Sequence, residues 1–452
     1  MNDGMSKWKL KLQSLTPVQL IVSYYFLAVT VSVLLLSLPI AHKPDVEFVF
    51  IDRLFTAVSA VSVTGLTVMS TADTFSVPGI FILAFVLQFG GIGIMTLGTF
   101  VWLIMGKKIG LKERQLIMTD QNQVNLSGIV SLIKQIIVLI LIIEFFGGLI
   151  LGTYFLKYFN TWQEAYLQGF FTSISATTNG GFDITGQSLI PFAHDYFIQF
   201  VIILLIVLGA IGFPVLIEVK DFLFKRDKNY RFSLFTKLTS ITFFALILFG
   251  TIAIAVLEYS YFFKDKVWHE TFFYSLFQST ATRSGGLATM DISVFTETTI
   301  LIMCALMFIG ASPSSVGGGI RTTTFALNLL FLYHFAKGNK SIKVFRRELH
   351  EEDLMKSVVV TMFAGLICFF SVVILTITES FSFIEILFEV CSAFGTTGLS
   401  MGITPDLSSI GKVIIMILMF IGRVGILTFL YLLGTKEKKA NYHYPKERVI
   451  IG

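Results

Sequence analysis

Long apolar runs alternating with short polar connectors set the pattern of this chain. A bilayer core takes about 20 helical residues. Runs of that length with at most one charge lie at roughly 18–39, 74–106, 135–156, 196–217, 238–257, 298–335, 357–378 and 413–435, which predicts eight membrane-crossing spans. The first run follows Lys7, Lys9 and Lys11 and superficially resembles a secretory leader. A leader's apolar core is only about 7–15 residues with a small-residue cleavage site after it. This run is uncharged from Val18 to Leu38 and ends in Pro39, so a retained helix is expected.

Lysine and arginine mark the cytoplasmic ends. They gather before the first span, after the second (Lys107, Lys108, Lys112, Arg114) and after the fourth (Lys220, Lys225, Arg226, Lys228, Arg231). They gather again after the sixth (Lys337, Lys340, Lys343, Arg346, Arg347) and in the tail (Lys436, Lys438, Lys439, Lys446, Arg448). The opposite connectors carry Lys43, Lys157, Lys264, Lys266 and Lys412. Both termini are therefore expected in the cytoplasm, with the spans paired across four outer connectors.

Each outer connector holds a shorter helical run followed by small polar residues: LFTAVSAVSVTGL, FFTSISATTNGGF, LFQSTATRSGGL and LFEVCSAFGTTGL. In every copy a hydroxyl residue and an alanine stand six and five positions before a glycine, which an aromatic or leucine follows. The copies are Ser59, Ala60, Gly65, Leu66; Ser175, Ala176, Gly181, Phe182; Thr280, Ala281, Gly286, Leu287; and Ser392, Ala393, Gly398, Leu399. Small residues are common wherever membrane helices pack, but four copies at one offset, 116, 105 and 112 residues apart, mark an internal repeat. The expected fold is an all-α integral membrane protein of four tandem helix, pore loop, helix repeats around a central pore. The repeats fall at 1–110, 111–228, 229–345 and 346–435, with a cytoplasmic tail at 436–452.

Composition agrees with a bilayer setting: 54% of residues are hydrophobic, 14% are charged, and the mean hydropathy is +0.79. The net charge of +5 does not mark a nucleic-acid partner, because the basic residues sit in short clusters between apolar runs without an aromatic-lined groove. Cys304, Cys368 and Cys391 lack paired spacing and read as small core residues. The histidines form no metal-ligand pattern, and no Walker A sequence or strand-borne GxGxxG is present, so no enzyme and no nucleotide site is expected in this chain.

Irregular backbone at membrane depth is tolerated only inside protein or around a water-filled cavity. Four such loops meeting on an axis can turn their carbonyl oxygens inward and replace the hydration shell of an alkali cation. Glycine suits the tip because it accepts positive φ and brings the backbone close to the ion. The candidate filter residues are Val63, Thr64, Gly65; Asn179, Gly180, Gly181; Ser284, Gly285, Gly286; and Thr396, Thr397, Gly398. Span six is too long for one crossing and is interrupted by GASPSSVGGGIRTTTF at 310–325, where Pro313 and the glycines disfavour a continuous helix. The interruption reads either as a kink or as a loop obstructing the pore, with Gly310, Ser312, Pro313, Gly317, Gly318, Gly319 and Arg321 as its candidate residues. Arg423, midway along span eight, costs roughly 2.5–3.5 kcal/mol on insertion and needs compensation, from helix carbonyls or from the pore and that loop. Arg321 could equally snorkel to the interface. Arg283 is expected to brace the third loop through its carbonyls, and Glu144 in span three has no evident partner.

These loops, the GKKIGLKER stretch at 106–114, the broken span six and the FIGRVG segment of span eight make the chain similar to the Trk/Ktr/HKT superfamily of potassium transporters, most closely its Ktr-type membrane subunits. The likeness covers nearly the whole chain; the third loop departs from it, with Ser284, Gly285 and Leu287 where the family has RTAGF. The resemblance implies potassium uptake through the filter, K+ as the transported ion, and the span-six loop with Arg423 as the gate. It also implies a homodimer in the bacterial cell membrane, docked on a cytosolic ring of RCK-type regulatory subunits that bind ATP or ADP. Energy comes from the membrane potential, worth about 2.3 kcal/mol per charge per 100 mV, or from a co-transported ion such as Na+. The alternative is a secondary transporter of another cation or a small organic solute, for which inverted repeats and a pair of interrupted spans are expected; here the repeats run parallel and span six is the clearly broken one.

Overall fold

The computed structural model describes residues 16–44, 46, 49–93, 129–225, 230–339, 341–434 and the positions 445, 447 and 450. Of the basic positions above, Lys7, Lys9, Lys11, those of the 106–114 stretch, Arg226, Lys228, Lys340, Lys436, Lys438, Lys439, Lys446 and Arg448 lie outside those residues. The first quarter supplies α1 (Pro17–Leu36), α2 (Phe50–Ser62) and α3 (Val77–Ile92), and the second α4 (Ile129–Phe155), α5 (Trp162–Thr177), α6 (Tyr196–Ala210) and α7 (Phe213–Lys225). The third holds α8 (Leu234–Leu257), α9 (Trp268–Ala281), α10 (Glu297–Ile309) and α11 (Thr322–Ala336), followed by a hairpin of β1 (Lys343–Val344) and β2 (Arg347–Glu348). The fourth holds α12 (Glu351–Thr378), α13 (Phe383–Phe394), α14 (Ser409–Val424) and α15 (Ile426–Leu433).

The order in each quarter is long helix, short helix, loop, second helix. At 1.5 Å per residue, the 20, 27, 24 and 28 residues of α1, α4, α8 and α12 reach across a bilayer. No more than 44% of any of these spans is buried by protein. Phe26, Phe146, Leu248 and Phe369 stand exposed on them and form apolar faces that lipid covers. The chain is a multi-pass membrane protein.

The short helices go inward, and their own polar side chains fasten them there. Tyr25 of α1 shares a 2.5 Å hydrogen bond with Ser62 at the end of α2. Ser173 of α5 donates to the Glu144 carbonyl oxygen at 2.9 Å, and Ser279 of α9 to that of Ile247 at 2.7 Å. Each bond spares a buried hydroxyl the cost of going unpaired. First and last quarters meet where Lys412 pairs with Asp52 at 2.9 Å.

The second helices correct the sequence reading. Span six is not the single broken one: α6 and α7 bend by 105° and α14 and α15 by 103°. Left-handed glycines stand at the turns, Gly212 (φ +104°) and Gly425 (φ +90°), matching Gly310 (φ +71°) after α10 and Gly93 (φ +94°) after α3. An apolar run long enough to span conceals such a break, because hydropathy averages over one glycine. The signal was the repeated G-x-x-G of Gly90 and Gly93, Gly209 and Gly212, and Gly422 and Gly425. Two interrupted spans on their own do not favour an organic-solute carrier, since all four quarters run in the same order.

Asp195 caps the N-terminus of α6. Its Oδ1 accepts from the backbone N–H groups of Phe197 and Ile198, and its Oδ2 from the Tyr158 and Tyr154 hydroxyls at 2.6 and 2.9 Å. Burial pushes this carboxyl's pKa up, but the tyrosine and backbone donors outweigh it and hold it below the usual carboxylate range. A depressed folded pKa stabilises above the unfolded value and loses that stability as pH falls through the folded one. We expect Asp195→Ala to cost about 1–2 kcal/mol and to flatten the acid limb of stability against pH, as thermal melting of the detergent-solubilised protein would register; an unchanged acid limb contradicts this role.

Candidate functional site

The four loops that follow α2, α5, α9 and α13 share one backbone. Two positions before each repeat glycine stands a non-glycine residue in the left-handed region: Val63 (φ +55°), Asn179 (+51°), Ser284 (+67°) and Thr396 (+45°). The glycines are left-handed as well, Gly65 at +94°, Gly181 at +66°, Gly286 at +68° and Gly398 at +90°. Such residues are uncommon and strained outside glycine, and the same spacing occurs four times.

The loop N–H groups turn back toward their own helices. Thr64 N–H donates to the Ser59 carbonyl at 2.8 Å and Gly65 N–H to Ser59 Oγ at 3.2 Å; Thr397 and Gly398 repeat both bonds with Ser392 at 2.8 and 3.1 Å. In the second loop Gly180 N–H bonds the Ser175 carbonyl at 2.6 Å, while Ser175 Oγ donates to the Phe182 carbonyl, also at 2.6 Å. The third loop is tighter, with Gly285 N–H reaching the Ala281 carbonyl at 2.7 Å. The repeated hydroxyl holds the loop in the first, second and fourth copies, whereas Thr280 Oγ1 donates to the Leu276 carbonyl of its own helix at 2.8 Å. The carbonyls of Val63, Thr64, Asn179, Gly180, Ser284, Gly285, Thr396 and Thr397 accept no hydrogen bond among the described residues.

The loops close a ring. A Cβ placed on Gly65 would lie 2.8 Å from Gly181 Cα, one on Gly181 3.0 Å from Gly286 Cα, one on Gly286 2.5 Å from the Thr397 carbonyl oxygen, and one on Gly398 2.1 Å from that of Thr64. Only hydrogen fits at these four positions. The second helices press on the ring from outside: a Cβ on Gly209 would meet the Thr177 carbonyl at 2.1 Å, and one on Gly422 that of Phe394 at 2.0 Å. All four loops follow helix C-termini, whose dipoles carry about half a negative charge each, so unpaired carbonyls and dipoles together favour a cation on the axis.

Residues 310–321 lie directly below. A Cβ on Gly317 would meet Ser284 Oγ at 2.5 Å, and one on Gly318 would meet Thr396 Oγ1 at 2.7 Å. The segment bonds the α6 end through Ser312 N–H to the Ala210 carbonyl at 3.0 Å and Phe213 N–H to the Ser314 carbonyl at 2.8 Å. Pro313 backs against Gly212 there. Three arginines hold it. Arg321 donates to the carbonyls of Gly317 and Ser312 within the segment, so its head group turns inward and does not snorkel. Arg423 reaches the Val316 carbonyl, and also those of Gly90 and Gly91 at the end of α3. Arg283, fully buried, bonds the carbonyls of Leu306 and Gly310. It therefore braces the end of α10 and the start of this segment, not the third loop's own carbonyls as its position in the sequence suggested.

Two carboxyls complete the picture. Glu144 accepts from Gln88 of α3, a partner lying 56 residues away and invisible to sequence spacing. Glu389 of α13 was missed altogether. It is buried, and accepts from Thr404 and from Ser400 Oγ, tying the limb that leaves the fourth loop back to the helix that enters it. Its signal was a lone acid in the otherwise apolar FEVCSAF run.

The sequence model of the TrkH cation transport protein family matches residues 4–443. The chain is 73% identical over 441 residues to the Ktr system potassium uptake protein D of Bacillus subtilis, covering 98% of both. It is 36% identical over 460 residues to the Ktr system potassium uptake protein B of the same organism, covering 100% of this chain and 99% of the other. The crystal structure of the potassium transporter TrkH from Vibrio parahaemolyticus superimposes with a TM-score of 0.68 at 18% identity, over 86% of this chain and 79% of that one, which is a likeness of fold. Four inward loops, the segment beneath them and these relatives agree, and the chain belongs to the TrkH family of cation transport proteins, as a membrane subunit of the Trk/Ktr superfamily.

Proposed function

We propose that this chain is the pore-forming subunit of a Ktr-type potassium-uptake system in a bacterial cell membrane. The observation that carries the reading is the closed ring of four loops, each with at least one N–H bonded back to its own helix and with carbonyls that accept no hydrogen bond among the described residues. Such a ring offers oxygen ligands to a dehydrated cation and nothing to an anion or an organic solute. Ion selectivity is assigned to residues 63–65, 179–181, 284–286 and 396–398, and the four repeats to 1–110, 111–228, 229–345 and 346–435.

The segment from Gly310 to Arg321 is the gate in this reading, and its place under Ser284 and Thr396 supports an obstructing role. Both termini are cytoplasmic, on the basic side. The names of the Bacillus subtilis relatives, each a member of a system, support a regulatory partner. We assign it as a cytosolic ring binding ATP or ADP, beneath a homodimer of this chain. The membrane potential drives uptake, with sodium either required or not.

The test is potassium-limited growth and rubidium uptake in a bacterium lacking its own importers, with and without sodium and with a cytosolic regulator co-expressed. Rescue supports the assignment, and the sodium arms decide the coupling. Absence of uptake with the regulator present and the chain in the membrane overturns it in favour of another solute.

A further inference from the structure

An apolar crevice of about 710 Å³ opens between α8, α10 and α11. Its walls include Ala245, Leu306 and Leu329, its inner end reaches Ile309 beside the span-six break, and its other end is rimmed by Val344 and Phe345 of the hairpin. Exposed Ile241, Phe249 and Leu329 join it to the lipid-facing surface. A crevice of this lining at this depth takes hydrocarbon.

The rim is basic. Lys237, Lys343, Arg346 and Arg347 are all exposed there, and among the described residues none of them makes an ion pair. Glu348, opposite Lys343 in the hairpin, is the acid among them and leaves the rim net positive. Lys237 Nζ lies 5.9 Å from the Phe345 ring, which joins the charges to the crevice mouth.

The hairpin is also strained where it meets that mouth. Phe345 (φ +50°) and Arg346 (φ +63°) are the two central residues of its turn and both are left-handed. Turns of that shape favour Asn-Gly, and an aromatic there is an outlier. Strain of this kind persists at functional positions. Here it sets an apolar ring at the crevice and a guanidinium just beyond it.

We propose that this site binds one anionic phospholipid, with an acyl chain in the crevice and the phosphate headgroup against Lys237, Lys343, Arg346 and Arg347. Hydrocarbon lining continuous with a positive rim fits an amphipathic anion better than a wholly polar or wholly apolar ligand. Each basic residue near a membrane surface contributes about 1 kcal/mol toward an anionic lipid, so removal of three lowers the preference on the order of 100-fold.

The test uses the full chain in nanodiscs of phosphatidylcholine with a minor fraction of phosphatidylglycerol, with retained lipid counted by native mass spectrometry. Transport is not read, so the result is independent of the ion assignment. The wild-type chain is expected to retain phosphatidylglycerol preferentially, and the combined Lys343→Ala, Arg346→Ala, Arg347→Ala variant to lose the preference while keeping its melting curve. Ala245→Phe, which fills the crevice and leaves the charges, should release both lipids and covers the case in which the triple variant fails to fold. Equal phosphatidylglycerol retention by wild type and triple variant overturns the proposal. So does competition by millimolar inorganic phosphate alone, which makes the rim a phosphate site.

Discussion

A Gly398→Ser chain is expected to take up rubidium at least about tenfold more slowly than wild type at equal membrane abundance, and to let sodium compete more effectively. Two effects act at that position. The backbone sits at φ +90°, where an L-residue is strained by roughly 1–3 kcal/mol, and a Cβ there would stand 2.1 Å from the Thr64 carbonyl oxygen. Relief requires the first and fourth loops to separate, which moves the oxygens that replace the hydration shell. Since about 1.4 kcal/mol is a factor of ten in rate, loss of that much cation stabilisation at the displaced oxygens sets the lower bound, while the strain itself lowers stability. Gly402 separates the two effects: its φ is +91° but a Cβ there meets nothing within 4 Å. Gly402→Ser should therefore cost stability while leaving the rubidium to sodium ratio unchanged. Equal loss of selectivity in both variants would make the effect one of general misfolding and remove the support for a four-loop ring.

Arg423→Ala should act in the opposite direction, raising uptake in the absence of a regulatory partner. The guanidinium ties the Val316 carbonyl of the segment below the ring to Gly90 and Gly91 at the end of α3. A hydrogen bond to a charged group contributes about 1.5–3 kcal/mol. If the segment gates the pore as proposed, loss of the bond to Val316 alone shifts it toward an open arrangement on the order of 10- to 100-fold. Arg423→Lys keeps the charge but not the fork of donors, and should fall between. Rubidium flux per chain at the membrane decides the matter: a fall in Arg423→Ala with undiminished abundance means that this side chain supports conduction, not closure.

Much of this was legible before any coordinates, for a definite reason. A repeated loop constrains residue type at fixed offsets, so Ser59, Ser175 and Ser392 each announce a helix end, and the glycines announce a tip that admits no side chain. Span count came from hydropathy, which measures length and is blind to direction; it therefore ran straight through Gly212 and Gly425. Long-range partners were illegible in principle. Nothing near Glu144 in the chain points to Gln88, and nothing near Arg283 names the carbonyls of Leu306 and Gly310. The sequence places an arginine beside a loop, but only packing decides which backbone its planar fork meets. Glu389 was overlooked because a carboxyl on a short helix that already carries Glu385 at its start resembles an interfacial residue until the limb carrying Ser400 and Thr404 folds back over it.

The contact between Thr64 and Gly398, with the ion pair of Asp52 and Lys412 at the opposite end of α2, bears on how the protein is made. The first loop is synthesised more than three hundred residues before the neighbour that completes it. A nascent chain halted anywhere before α13 carries at most three loops and has no axis for an ion to follow. On the proposed reading the ring closes only when the last quarter of the polypeptide is in place, so conduction waits on the completed chain.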